Sequence, residues 1–197
     1  MAVPRIIRTP KFASALAHGP VILTLDYIEQ CLAQNTKMNP DDFLLKESKE
    51  DKDRGYNLEE SRTRAKNNKS RLLRGYTVYC TNEVRGGFDA YKSIVTANGG
   101  DCMLYKARAS SSAFVAPAGG DREDSDPDPS ASNYLYLISG TTPEEAKLWP
   151  KFRQMAQSKG RTGRIVSNNW LLDQAIRQEV CWLDDYELKP NNVDRPK

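Results

Sequence analysis

Residues 10–28 read PKFASALAHGPVILTLDYI, and residues 150–172 read PKFRQMAQSKGRTGRIVSNNWLL. The two stretches are one pattern written twice. Pro10-Lys11-Phe12 recurs as Pro150-Lys151-Phe152, and each opens a helical pattern closed by a glycine, Gly19 or Gly160. A short apolar run follows in each, Val21-Ile22-Leu23 and Arg164-Ile165-Val166. Thr24 then matches Ser167, and Tyr27-Ile28 matches Trp170-Leu171. A self-similar unit of helix, strand and helix points to an internal repeat. In the first copy Thr9 stands as N-cap with Pro10 at the first helical position, and Phe12, Ala15 and Leu16 share a face. Tyr27, Ile28, Cys31 and Leu32 recur at helical spacing after Thr24.

Outward from the second copy the pattern continues upstream. Residues 76–81, Tyr-Thr-Val-Tyr-Cys-Thr, form a strand. Residues 88–97 place Phe88, Tyr91, Ile94 and Val95 on one helical face, and Asn98-Gly99-Gly100 ends that helix, where glycine adopts a left-handed cap cheaply. Residues 102–106 and 134–138 are further strands, residues 143–158 are helical, and 168–178 form the last helix. Strands alternating with helices imply a parallel α/β sheet. Residues 107–133 are rich in Ala, Ser, Pro, Gly and Asp and read as a mobile insertion, with Ser125 in an acidic setting. The division expected is residues 1–35 as the closing part of a first repeat, 36–73 as a linker containing a charged helix from Leu58, and 74–190 as a complete second repeat.

Composition excludes several classes of function. The chain has 197 residues, a net charge of +3 and a single histidine, His18. That argues against a histidine-based triad, a two-histidine metal site or a partnered histidine base. The cysteines, Cys31, Cys80, Cys102 and Cys181, contain no Cys-x-x-Cys pair, so no metal or cofactor is expected, and Cys31, Cys80 and Cys181 read as buried free thiols. No apolar run reaches the roughly 20 residues of a membrane span. No nucleophile–base pair or nucleotide-binding glycine motif is present, so an enzyme is not expected. The charge is unevenly spread. Residues 1–20 carry Arg5, Arg8 and Lys11 and no acid, and residues 62–74 carry six basic residues and no acid. The second stretch has no interleaved aromatic and reads as a solvated helix face, which argues against direct DNA binding.

With these residues in place, the chain resembles the BRCT family, which implies an α/β fold with a small parallel four-stranded sheet flanked by helices, present as one partial and one complete repeat. The second copy matches throughout, through the strand at 76–81, the helix ending in Asn98-Gly99-Gly100 and Trp170 in the last helix. The first copy matches only the family's final third. Its segment Arg5-Ile6-Ile7-Arg8-Thr9-Pro10-Lys11-Phe12 looks like the C-terminal tandem BRCT pairs of DNA-damage-response scaffolds of the fungal type, readers of a phosphorylated histone tail. Tyr27 stands where the family usually has Trp. Thr81 lies 70 residues before Lys151 (151 less 81), or 43 once the 27-residue insertion 107–133 is set aside. The same offset before Lys11 falls upstream of Met1. The first repeat is therefore expected to lack its opening strand, first helix and second strand.

The resemblance implies a nuclear phosphopeptide-binding module. Lys11 becomes the phosphate-contacting cation, Arg8 the residue that grips a peptide's terminal carboxylate or main chain, and Thr9 their neighbour in the pocket. A phosphoserine offers about −1.5 to −2 charge and three acceptor oxygens. A compact ammonium suits that charge, and a planar guanidinium suits a carboxylate. Arg8 and Lys11 are expected on one helix, three residues apart. Without the resemblance both read as solvated charges near a helix start, and Thr9 as a helix cap. A second, weaker imitation of the pocket is Thr81 with Lys151, where Asn82 replaces a glycine. The alternative reading is a structural fragment that binds an unphosphorylated partner because the pocket is incomplete.

Overall fold

A computed structural model describes residues 1–106 and 133–193. The expected insertion at 107–133, with Ser125, lies outside the described residues except for Asn133. In chain order the helices are α1 (Pro10–Leu16), α2 (Asp26–Ala33), α3 (Lys49–Asp53), α4 (Leu58–Asn68), α5 (Phe88–Ala97), α6 (Pro143–Ala146), α7 (Trp149–Ser158) and α8 (Asn168–Arg177). The strands are β1 (Thr77–Cys80), β2 (Asp101–Leu104), β3 (Tyr134–Ile138) and β4 (Thr162–Val166). They form one sheet in the order β2-β1-β3-β4, with every pairing parallel. This is the parallel α/β sheet expected from the alternation of patterns, with the four strands that the resemblance implies.

Parallel strands are covered on both faces, so their apolar residues run almost unbroken. Val78, Cys80, Tyr136, Ile138 and Val166 face α5 and α8, with Trp170 stacked on Tyr136 at 4.5 Å between ring centroids and 6° between planes. Tyr79, Leu135, Leu137 and Ile165 face α7 through Trp149, Phe152 and Ala156. The helix expected across 143–158 is two helices. Pro150 sits in the first turn of α7, and α6 has already closed at Lys147.

The repeat foreseen in the sequence is also written in hydrogen bonds. Leu45 N–H donates to the Ile22 carbonyl and Leu188 N–H to that of Ile165, both partners displaced by 143 residues (188 less 45, 165 less 22). Thr24 N–H donates to Phe43 as Ser167 N–H donates to Tyr186. Val3 N–H donates to Leu23 as Ser139 N–H donates to Val166. In the first unit this lattice is reduced to isolated bridges of Leu23 with Ala2 and with Leu44, so the strand expected at 21–23 is a single bridge residue. Since residues 43–45 pair back to 22–24, we place the end of the first unit at Leu45 rather than at residue 35.

A third apolar cluster joins the units: Ile6, Phe12, Leu16 and Ile22 from the first, Tyr56 and Leu58 from the connector, and Ile176 from α8. Asn98, fully buried after α5, fastens the same junction. Its carbonyl accepts from Leu73 N–H at 2.7 Å, and its side-chain oxygen accepts from Gln178 Nε2 at 2.9 Å. Gly99 follows at φ +79°, and a Cβ there would strike the Ser70 carbonyl at 2.6 Å, so the left-handed glycine expected at this turn is required by close approach as well as by φ.

Packing differs sharply between equivalent positions. Trp170 and Leu171 are buried at 1% and 0% exposure, while Ile28, the counterpart of Leu171, is 47% exposed. Trp170→Ala is expected to cost about 3–5 kcal/mol of stability in urea titrations, the usual range for a large buried aromatic. Ile28→Ala in the same titrations should stay within about 1 kcal/mol.

Candidate functional site

Lys11 and Arg8 flank the start of α1, and the structure gives them opposite surroundings. Thr9 is the N-cap, its side chain accepting from Phe12 N–H at 3.4 Å. Helix α1 begins only at Pro10, so Arg8 precedes the cap and does not share the helix with Lys11. The chain turns at Arg8, where Thr9 N–H donates to the Ile7 carbonyl at 2.8 Å, and Arg8 reaches α8 while Lys11 lies exposed on the first turn of α1.

Lys11 is exposed and makes no hydrogen bond or ion pair among the described residues. Arg8 is half-buried and heavily engaged. Its Nη2 donates to Asp173 Oδ1 at 2.7 Å and to Asn169 Oδ1 at 3.0 Å, both on α8. Its Nε is buried with no hydrogen-bond partner among the described residues. Asp173, 6% exposed, also accepts from Tyr56 Oη at 2.5 Å and from Tyr186 Oη at 3.1 Å. Arg177 extends the cluster, donating to Tyr186 Oη at 3.4 Å, to Cys181 Sγ at 2.9 Å and to the Arg54 carbonyl. Burial works against the Arg8 charge, but Asp173, with Tyr56 behind it, more than offsets that and holds the guanidinium pKa above its ordinary value. Burial first, then the Asp173 carboxylate, raises the Tyr56 and Tyr186 phenols well above the usual tyrosine range.

Arg8 is therefore not a solvated charge. Any peptide carboxylate it grips shares the guanidinium with Asp173. Asn169, Asp173, Tyr56 and Tyr186 were not singled out from the sequence. An acid at position 173, one helical turn from Asn169 on an apolar helix face, is the signal that could have found them.

Thr81 and Lys151, the second pair of residues, make no hydrogen bond to each other among the described residues. Lys151 is exposed with no bonded partner among the described residues. Thr81 is fully buried and donates its hydroxyl to Glu145 Oε1 at 2.5 Å. The basic stretch 62–74 is partly consumed by packing. Arg64 pairs with Glu60 at 2.7 Å and donates to the Arg177 carbonyl at 3.0 Å, while Ser61 and Ala65 are buried. Among the described residues no group of His, Cys, Asp and Glu could hold a metal ion, and no helix is long and apolar enough to cross a membrane.

Residues 1–45 match the family described as the BRCT domain of Regulator of Ty1 transposition protein 107. BRCT-containing protein 1 of Schizosaccharomyces pombe is 29% identical over 185 residues, 91% of this chain but 19% of that protein. Mediator of DNA damage checkpoint protein 1 of Homo sapiens is 32% identical over 100 residues, 51% of this chain and 5% of that protein. The chain thus spans a small part of the curated relatives it matches. Among solved structures, the S. pombe Brc1 BRCT5-BRCT6 domains superpose with a TM-score of 0.65 at 24% identity, covering 98% of this chain and 83% of that one. Rtt107p in complex with a phosphorylated H2 A-type histone superposes at 0.62 with 22% identity, covering 92% and 71%.

Two predictions arise from the cluster. Asp173→Asn leaves Arg8 without its counter-charge and should cost about 3 kcal/mol, the lower end for a broken buried pair because Arg8 keeps some contact with water, measured by urea denaturation. A tyrosine whose folded pKa exceeds its unfolded value contributes stability that is complete below about pH 10 and lost as pH rises above it. The urea midpoint should therefore fall from about pH 10 upward, and Tyr56→Phe should flatten that fall.

Proposed function

We propose that this chain, which belongs to the BRCT family, is a phosphopeptide-binding scaffold module of the DNA damage response that works in the nucleus. Its ligand is a phosphorylated histone tail or a similar phosphoprotein segment. Lys11 meets the phosphate, and Arg8 meets the peptide's terminal carboxylate or main chain. The observation that carries this reading is the pairing of an exposed, uncommitted Lys11 with an Arg8 held rigid by Asp173 and Asn169. Residues 1–25 contain Arg5, Arg8 and Lys11 and no acid, so the surface around α1 favours an anion. The likeness to a solved complex with a phosphorylated histone supports the class of ligand.

The module needs no cofactor, and its work is recognition rather than catalysis. His18 Nδ1 lies 3.3 Å from Ser70 Oγ, but that hydroxyl also reaches the Ala17 carbonyl at 3.2 Å, and among the described residues no carboxylate completes the pair. Direct DNA contact is not part of the reading, because Arg64 of the basic stretch is already paired.

A second reading, a protein-interaction unit for an unphosphorylated partner, is favoured by α2. None of its residues is buried, and Leu32 is 76% exposed. Binding of phosphorylated and plain tail peptides separates the two. On the phosphate reading, Lys11→Met removes a charge-assisted contact of about 1.5–3 kcal/mol, so affinity for the phosphorylated peptide falls roughly ten- to a hundredfold. Affinity for the plain peptide should hold, and equal loss for both would refute the phosphate role. Arg8→Lys keeps the charge beside Asp173 but loses the forked geometry. It should weaken a free-acid peptide at least fivefold, by about 1 kcal/mol, and leave an amidated one unchanged. Fluorescence polarisation reads both.

A further inference from the structure

At the end of β1, the second repeat holds a converging set of donors around one carboxylate. Thr81 Oγ1 donates to Glu145 Oε1 at 2.5 Å, and Gly140 N–H donates to the same oxygen at 2.9 Å. Thr142 Oγ1 donates to Glu145 Oε2 at 3.2 Å. Thr81 is 0% exposed and Glu145 2%. A Cβ at position 140 would collide with the Glu145 carboxylate, so Gly140 is the residue that lets the backbone amide approach. Two hydroxyls and one amide aimed at a pair of anionic oxygens are the donor set that a phosphate requires. Here a carboxylate of the chain itself fills it.

The matching segment of the first unit has the opposite charge. Val3 and Ser139 occupy equivalent positions, since their N–H groups bond to Leu23 and Val166. From there to the Pro-Lys-Phe motif, residues 4–9 carry Arg5 and Arg8 and no acid. Residues 140–149 carry Glu144, Glu145 and Lys147. The segment is basic in the first unit and supplies an anion in the second.

We propose that Glu145 is the resident anion of the second repeat. Its carboxylate fills the cradle of Thr81, Gly140 and Thr142, shuts phosphate out of that repeat and leaves the chain one phosphate-reading position, at Lys11. The inference rests on the reading above only in assigning Lys11 that position. The cradle stands on its own geometry. Removing the Glu145 carboxylate should uncover a latent phosphate site.

The test uses the whole chain in a Lys11→Met background, so that the first unit does not contribute. Inorganic phosphate is titrated against chloride at matched ionic strength, and thermal unfolding is followed. Lys11→Met/Glu145→Ala should gain a phosphate-dependent rise in Tm, with half-saturation at least tenfold lower than any response of Lys11→Met alone. Adding Thr81→Val should abolish that gain. A double variant no more responsive than Lys11→Met alone overturns the proposal, and so does a triple variant that responds like the double. Should the double variant show no native transition in chloride, its refolding in phosphate becomes the readout. Recovery of the transition supports the cradle, and its absence in both salts overturns it. Lys11's own role is decided separately, by phosphopeptide binding to chain with Glu145 intact.

Discussion

Asp173 is a carboxylate with 6% exposure at the seam between the two units, and burying a charge of this kind is costly unless donors surround it. Three segments far apart in sequence supply them: Arg8 from just before α1, Tyr56 from the connector and Tyr186 from the turn after α8. Each is fixed in place by the others' need. The arrangement fixes Arg8 against α8, and through the Thr9 cap it sets the direction in which α1 leaves and Lys11 projects. The apolar cluster of Phe12, Leu16, Tyr56 and Ile176 packs beside it. Hydrophobic contact holds the seam closed, and the polar contacts give it one orientation.

The two units solve one problem with opposite charges. Each brings a chain segment to the start of a Pro-Lys-Phe helix. In the second, Glu145 meets the donors at the strand end and the site is closed. In the first, arginines occupy that segment, and Lys11 is left facing water. A helix start with a bare cation and no acid in its first turn is mildly unfavourable on its own, by about 0.3–1 kcal/mol. An anion placed there would relieve that small strain.

Much of the fold was legible in the residues. Tyr134 to Ile138 is an apolar run too short for a helix, and a run of that kind belongs in a sheet covered on both faces. Pro10 and Pro150 mark helix starts because proline lacks the donor that a first turn leaves unused. The break between α6 and α7 was missed because residues 143–158 keep helical periodicity across it, and only the packing of Trp149, with its Nε1 bonded to Ser139 Oγ at 2.9 Å, makes the bend visible. The surroundings of the candidate residues were half legible. Lys11 lies on the first turn of α1, as the Pro-Lys-Phe motif implies. Arg8 stands before the cap, and its partners, 161 and 165 residues away, cannot be read from its neighbours.

The sequence by itself determined what is local and periodic: the repeat, the order of strands and helices, the caps, and the charge imbalance of the first 25 residues. These follow from steric and hydrophobic rules that act over a few residues. Only the tertiary structure decided which charges are free and which are spent. Arg8 and Lys11 look alike in the chain, as do Glu144 and Glu145. Burial and distant donors separate them, because the energy of a charge depends on what surrounds it in space rather than on its neighbours in sequence.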